Sequence, residues 1–170
     1  MMTEALSVRR LTGADWQVWR ALRLEALKLY PTAFLTTYAE AEAVPAEIIE
    51  DRLDTGHTYG VFAAGTPVGI ASFIPEMRTQ TRHRAEMGGL FVQPDLHGSG
   101  AADALMAGVI DAAAAIGVWQ IELYVAADNA RAIAFYTRHG FQEVGRLPNA
   151  TYVDGQADTD VIMVRSTPPT

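Results

Sequence analysis

The chain has no cysteine, and its 170 residues include a single lysine, Lys28. The first absence removes disulfides, thiolate–zinc centres and a cysteine nucleophile. The second removes a P-loop, whose Gly-x-x-x-x-Gly-Lys-Ser/Thr needs a lysine behind its glycine turn. No apolar run approaches the ~18 residues that span a bilayer. The opening Met1-Met2-Thr3-Glu4-Ala5 has an early acid and no long apolar core, which argues against a secretory signal. A cytoplasmic location, with no membrane partner, is the expectation. Positive charge is also scarce. Thirteen Lys and Arg face twenty Asp and Glu, for a formal charge of −7. A field of that sign repels nucleic acid and suits a cationic or amine-bearing small molecule. No His–carboxylate group has metal-ligand spacing, so no metal is expected. With no repeat, linker or low-complexity block, residues 1–170 read as one domain.

What is there is an alternation of strand and helix patterns. Leu6–Leu11 alternates as a strand, and Thr12-Gly13-Ala14-Asp15 reads as a helix cap. Trp16, Trp19, Leu22, Leu24, Leu27 and Leu29 recur at roughly helical spacing up to Pro31. Further helices are predicted over Phe34–Ala43 and Ala46–Asp54, the latter started by Pro45. Thr58–Ala64 and Val68–Pro75 form a hairpin across a Gly65-Thr66-Pro67 turn. His83–Gln93 is a long strand. The next helix shows a buried stripe of Leu105, Val109, Ala112 and Ile116, ended by Gly117. Trp119–Val125 is a strand, and Asp128 or Asn129 caps a short helix closed by Gly140. Phe141–Arg146 and Asp160–Arg165 are the last strands, joined by a polar loop over Leu147–Thr159. The order is βααα-ββ-β-α-β-α-β-β, an α/β (α+β) class with a mixed sheet.

Between strand and helix lies Leu90-Phe91-Val92-Gln93-Pro94-Asp95-Leu96-His97-Gly98-Ser99-Gly100-Ala101-Ala102. The first N–H groups of a helix lack intrahelical partners, and the dipole makes that end positive. Glycines let the chain approach an anion closely, so the turn is a candidate phosphate cradle. A dinucleotide fingerprint would need a small residue where Asp103 stands. A plain tight strand–helix turn would carry the same string. Further on, Asn129 and Tyr136 stand seven residues apart, on one face of one helix and about two turns from each other.

The string His97-Gly98-Ser99-Gly100-Ala101-Ala102 resembles the Gln/Arg-x-x-Gly-x-Gly/Ala acyl-coenzyme-A loop of the GNAT superfamily of N-acetyltransferases, with His97 where Arg or Gln is usual. Asn129, Ala132, Phe135, Tyr136, Gly140 and Phe141 resemble a later motif of the same superfamily. Motif residues cover about Glu86–Arg146, and the element order matches over nearly the whole chain. The resemblance implies a GNAT fold: six to seven strands, about four flanking helices, and fourth and fifth strands that splay. It implies a transfer of acetyl from acetyl-CoA to a primary amine of a small molecule or peptide in a ternary complex. With no cysteine, an acetyl-cysteine intermediate is excluded. The alternatives are a non-catalytic acyl-CoA-binding or regulatory module, another acyl donor, or protein N-termini as acceptors.

Roles carried over from the family fall on individual positions. Acetyl-CoA would contact Leu90, Phe91, Val92, His97, Gly98, Ser99, Gly100, Ala101, Ala102, Asn129, Ala132 and Tyr136. Backbone N–H groups of Phe91 or Val92 could hold the thioester oxygen. Tyr136 sits where the family keeps its general acid, with a core aromatic whose hydroxyl only hydrogen-bonds backbone as the bland alternative. A Tyr hydroxyl of pKa about 10 can protonate a thiolate whose conjugate acid has pKa near 8.5. Glu86 is the candidate general base, with a solvated strand glutamate or one paired to Arg84 as its bland alternatives, and His83 and Tyr124 stand behind it. Tyr30, Phe34, Tyr124 and Tyr152 are candidate acceptor walls. Glu40, Glu42 and Asp154 are acids that could attract an amine. The Arg78, Arg82 and Arg84 cluster reads as a charged hairpin tip, or else as a contact for the cofactor's 3′-phosphate. His57 and His139 read as surface residues. Relatives often dimerise, and the C-terminal strands could pair across a two-fold into a homodimer.

Overall fold

The computed structural model describes residues 5–170. Its elements are β1 (Leu6–Arg10), α1 (Trp16–Leu29), α2 (Tyr38–Glu42), α3 (Ala46–Thr55), β2 (His57–Ala63), β3 (Thr66–Pro75), β4 (Arg84–Val92), α4 (Ala101–Ala115), β5 (Gln120–Ala126), α5 (Ala130–Arg138), β6 (Gln142–Val153) and β7 (Gln156–Ser166). The strands form one mixed sheet in the order β1-β2-β3-β4-β5-β7-β6. β1 and β2 pair antiparallel, as do β2 and β3, while β4 and β5 pair parallel. The β4–β5 register runs from Arg84↔Gln120 to Glu86↔Glu122, although both strands continue beyond it. Seven strands and five α-helices among the described residues match the expected class, with one helix more than the resemblance implied.

Two compact units divide the chain: residues up to Ile74 with Gly89–Ala112, and Pro75–Gly88 with Ala113–Thr170. In the first, Leu11, Leu22, Ala26, Ile49, Leu53, Phe62, Ile70 and Phe91 form a buried cluster, with Trp16, Trp19 and Phe34 packed against it. Thr12 and Asp15 close a capping box ahead of α1. The helix expected over Phe34–Ala43 is shorter than its pattern. Thr37 is extended and accepts from the Glu40 N–H, so helix starts only at Tyr38. The hairpin after β2 turns at Ala64 and Gly65, both at positive φ, and Thr66 and Pro67 already belong to β3. On α4 the buried stripe is Leu105, Met106, Val109 and Ala113. Ile116 lies past the helix end and is half exposed.

The second unit holds β5, β6, β7 and α5. The largest departure from the sequence reading is here. Leu147–Thr159 is no loop, because β6 and β7 run on through it as a long antiparallel hairpin. Its turn is Asp154-Gly155, at φ 51 and 78. An Asp-Gly pair at positive φ is the favoured two-residue hairpin turn, and its twist continues that of the strands. The ladder is irregular between Leu147 and Thr151, which keeps the polar stretch in register at both ends.

Candidate active site

In the first unit, β4 ends with Phe91 and Val92 buried and Leu90 half-buried. The alternation of β4 breaks at Gly89, whose φ of +68 lies in the left-handed region. Past Val92 the Gln93 N–H donates to Val68 O at 2.8 Å, and its side-chain amide donates to Glu25 at 2.8 Å. A single 3-10 turn, Pro94–Leu96, leads into the glycine turn. Gly98 and Gly100 have φ of +80 and +89, conformations that a side chain resists. Ser99 Oγ donates to Leu96 O at 2.6 Å and accepts from the Ala101 N–H at 3.2 Å. The first main-chain bond of α4 runs from Ala104 N to Gly100 O. The N–H of Ala102 therefore precedes that ladder, at the end of the helix where main-chain donors have no intrahelical acceptor. This is the geometry of an anion cradle at the start of a long helix. His97 is built into the turn: its Nε2 lies 3.0 Å from Val92 O, so the imidazole braces the strand end against the glycine turn.

Tyr30 and Phe34 also belong to this unit. The Tyr30 ring meets Phe91 edge-on at 6.3 Å. Phe34 lies under the guanidinium of Arg23, 4.8 Å from its ring centre. Glu40 is spent on the capping box at Thr37, which holds its carboxyl below the usual range.

In the second unit α5 carries Tyr136, and both helix ends are fastened. Asn129 Oδ1 accepts from the Ala132 N–H at 3.1 Å as the N-cap. At the other end Gly140 has φ +87, its N–H donates to Thr137 O, and the Phe141 N–H donates to Tyr136 O at 3.1 Å. This Schellman closure brings buried Phe141 onto the Tyr136 ring, edge-on at 5.7 Å. Phe135 meets the same ring at 5.5 Å. Among the described residues nothing hydrogen-bonds the Tyr136 hydroxyl, so it is not a core phenol bonded to backbone. Nor does any wholly buried side-chain oxygen lack a partner, so this one reaches accessible space. Burial pushes its pKa up to about 12, above the ordinary value expected from sequence.

Glu86 is exposed on β4. It does not pair with Arg84, whose guanidinium forks onto Glu122, with Nη2 to Oε2 at 2.7 Å. Gln120 also donates to Glu122 at 2.9 Å. Hydrogen bonding from Arg84 holds the Glu122 carboxyl low. The expected Arg78, Arg82 and Arg84 cluster thus loses Arg84 to an ion pair. His83 stacks on Trp119 at 4.3 Å. Nor is His57 a plain surface residue: it stacks on Phe73 at 4.7 Å, and burial, then Arg10, lowers its pKa. Tyr124 is half exposed on β5, and Tyr152, 75% exposed, stands beside the β6–β7 turn rather than on a loop. Sequence reasoning passed over Arg23. Its signal is a cation on the apolar stripe of α1, between Trp19 and Leu27.

A family model described as the acetyltransferase (GNAT) family matches residues 17–141. A mycothiol acetyltransferase from Brachybacterium faecium is 30% identical over 132 residues, 78% of this chain and 39% of the relative. The chain therefore spans about two-fifths of that relative's length. A GNAT-family acetyltransferase structure from Streptococcus pneumoniae superposes with a TM-score of 0.84 at 21% identity, over 96% of this chain and all of the other. A ribosomal-protein-alanine N-acetyltransferase from Brucella melitensis gives 0.79 at 24% identity, over 95% and 99%. A Salmonella typhimurium protein solved with its cofactor acetyl-CoA gives 0.77 at 21% identity, over 95% and 94%. The fold, the order of its elements and the matched residues agree: this chain belongs to the GNAT acetyltransferase family.

Proposed function

We propose that this chain is an acetyl-CoA-dependent N-acetyltransferase that passes acetyl directly to a primary amine. One observation carries the reading: α5 holds a desolvated phenol, Tyr136, that is protonated at neutral pH and has no protein acceptor among the described residues. Acetyl-CoA supplies the activated acetyl thioester. The glycine turn suits its pyrophosphate through the helix-start N–H groups, with Ser99 and the His97–Val92 brace holding the turn in shape. Leu90, Phe91, Val92, Asn129 and Ala132 take the remaining donor contacts, and the N–H of Phe91 or Val92 holds the thioester oxygen.

The proton balance decides what Tyr136 does. The amine must enter neutral, and as its nitrogen bonds to the acetyl carbon it loses one proton. Glu86, exposed and free of Arg84, receives that proton through water. As the C–S bond breaks, the electron pair stays on sulfur. A phenol pushed up to about 12 stands well above an alkyl thiol, so giving the proton away outright is strongly uphill. The hydroxyl instead donates a hydrogen bond to the sulfur as charge develops there, a stabilisation absent from the ground state. Thiol release from acetyl-CoA across a panel of amines tests the reading. Transfer that drops in Tyr136→Phe while acetyl-CoA affinity holds supports it. Acetyl-CoA binding with no transfer to any amine would make the chain a binding module.

A further inference from the structure

Arg23 occupies a place that calls for an apolar side chain. Trp16, Trp19, Arg23, Ala26, Leu27 and Tyr30 recur at three- and four-residue steps along α1. Ala26 and Leu27 on that stripe are 0% and 1% exposed. A guanidinium on such a face normally carries a carboxylate with it. Here none among the described residues acts on it, and burial alone lowers its pKa. The nearest acid in sequence, Glu25, accepts instead from the Gln93 side chain at 2.8 Å. The guanidinium is nonetheless held. One face lies 4.8 Å over the Phe34 ring. Its Nη1 lies 3.7 Å from where a side chain on Gly89 would begin, and Ser72 Oγ lies 3.9 Å from the same point. Gly89 leaves that point empty and turns β4 there with φ +68. Among the described residues no wholly buried side-chain nitrogen lacks a partner, so the guanidinium N–H edge is not wholly buried.

We propose that Arg23 binds a carboxylate of the acceptor over Gly89, so that the acceptor is an amino acid or peptide-like amine carrying a free carboxylate. Stacking on Phe34 fixes the guanidinium plane and leaves its forked edge for a planar, bidentate anion. Such an acceptor brings its own countercharge to a cation that no described carboxylate pairs, and as a zwitterion it is not repelled by a chain of charge −7. The inference rests on the transfer reading for its substrate, though not for the binding of the anion.

The experiment offers L-α-amino acids and dipeptides, each against its C-terminal amide, to the native chain, Arg23→Lys and Arg23→Met. Met suits the apolar stripe and keeps the helix packed, and acetyl-CoA affinity serves as the folding control. Native kcat/KM should favour the acid over its amide by about 10- to 100-fold, the size of a charged hydrogen-bonded pair. The ratio should collapse toward one in Arg23→Met and fall partway in Arg23→Lys, which keeps the charge without the fork. Calorimetric titration of the same acids reads binding without chemistry. Arg23-dependent binding with no transfer would uphold the carboxylate site and overturn the transferase reading. Transfer with an acid-to-amide ratio unchanged by Arg23→Met would overturn the site alone. Neither binding nor transfer would overturn both.

Discussion

Replacing Tyr136 by Phe removes one oxygen from a ring clasped by Phe135 and Phe141 and leaves the Schellman closure of α5 intact. The magnitude follows from the pKa. A rise from 10.0 to about 12 means burial disfavours the phenolate by about 3 kcal/mol. In this sign the folded chain holds its proton more tightly than the unfolded chain. The stability linked to it is therefore fully present at neutral pH and is lost only as pH climbs from about 10 to about 12. Tyrosinate absorbance against pH should show one slow-titrating tyrosine near the top of the range, missing from Tyr136→Phe. A hydrogen bond to developing charge is worth about 1.5–3 kcal/mol, so kcat should drop by about 10- to 150-fold, with the Kd for acetyl-CoA within about two-fold. Across pH 7 to 10 the variant and native rate profiles should keep the same shape. A basic inflection near pH 9 that disappears with the phenol would refute the reasoning, because Tyr136 would then titrate as an ordinary acid.

Other perturbations reach different parts of the chain. A Cβ on Gly108 would stand 2.6 Å from Val8 Cγ1, and valine is stiff at χ1, so Gly108→Ala should cost about 1–3 kcal/mol in urea unfolding despite its better helix propensity. An unchanged or raised midpoint would show that β1 gives way freely. Arg84 holds the Glu122 carboxyl below its ordinary 4.5; that stability is present above 4.5 and lost as pH falls through the depressed value. In Glu122→Gln the acid unfolding limb should flatten, with about 0.5–1 kcal/mol lost at pH 7 for a partly exposed pair. His97→Ala releases the brace on Val92 O and should raise the acetyl-CoA Kd several-fold by calorimetry; an unaltered Kd would leave the imidazole without a part in the turn.

Elements carrying their own punctuation were readable from sequence. Thr12 with Asp15, Gly117 and Gly140 each mark a helix end by local chemistry, and each lies where expected. Asn129 caps the helix that carries Tyr136, one of the two capping positions its sequence offers, and Phe141, legible only as a family signature, closes that helix against the Tyr136 ring. The Asp154-Gly155 turn was missed because the polar, bulged stretch after Leu147 hides the alternation of two exposed strands. The Phe34–Ala43 pattern was overread because the Thr37–Glu40 cap competes with helix at Phe34. Arg23 escaped because an arginine on a helix reads as solvated until its neighbours are known to be buried. The pKa of Tyr136 was beyond sequence, since it follows from packing by Phe135 and Phe141 rather than from residue type.

Direct transfer between two bound substrates is the central claim, and two-substrate initial rates test it most directly. With acetyl-CoA varied at several fixed concentrations of an accepted amine, and the N-acetyl product followed by mass, the double-reciprocal lines should intersect, with one product formed per thiol released. Parallel lines, or thiol released without N-acetyl product, would contradict it.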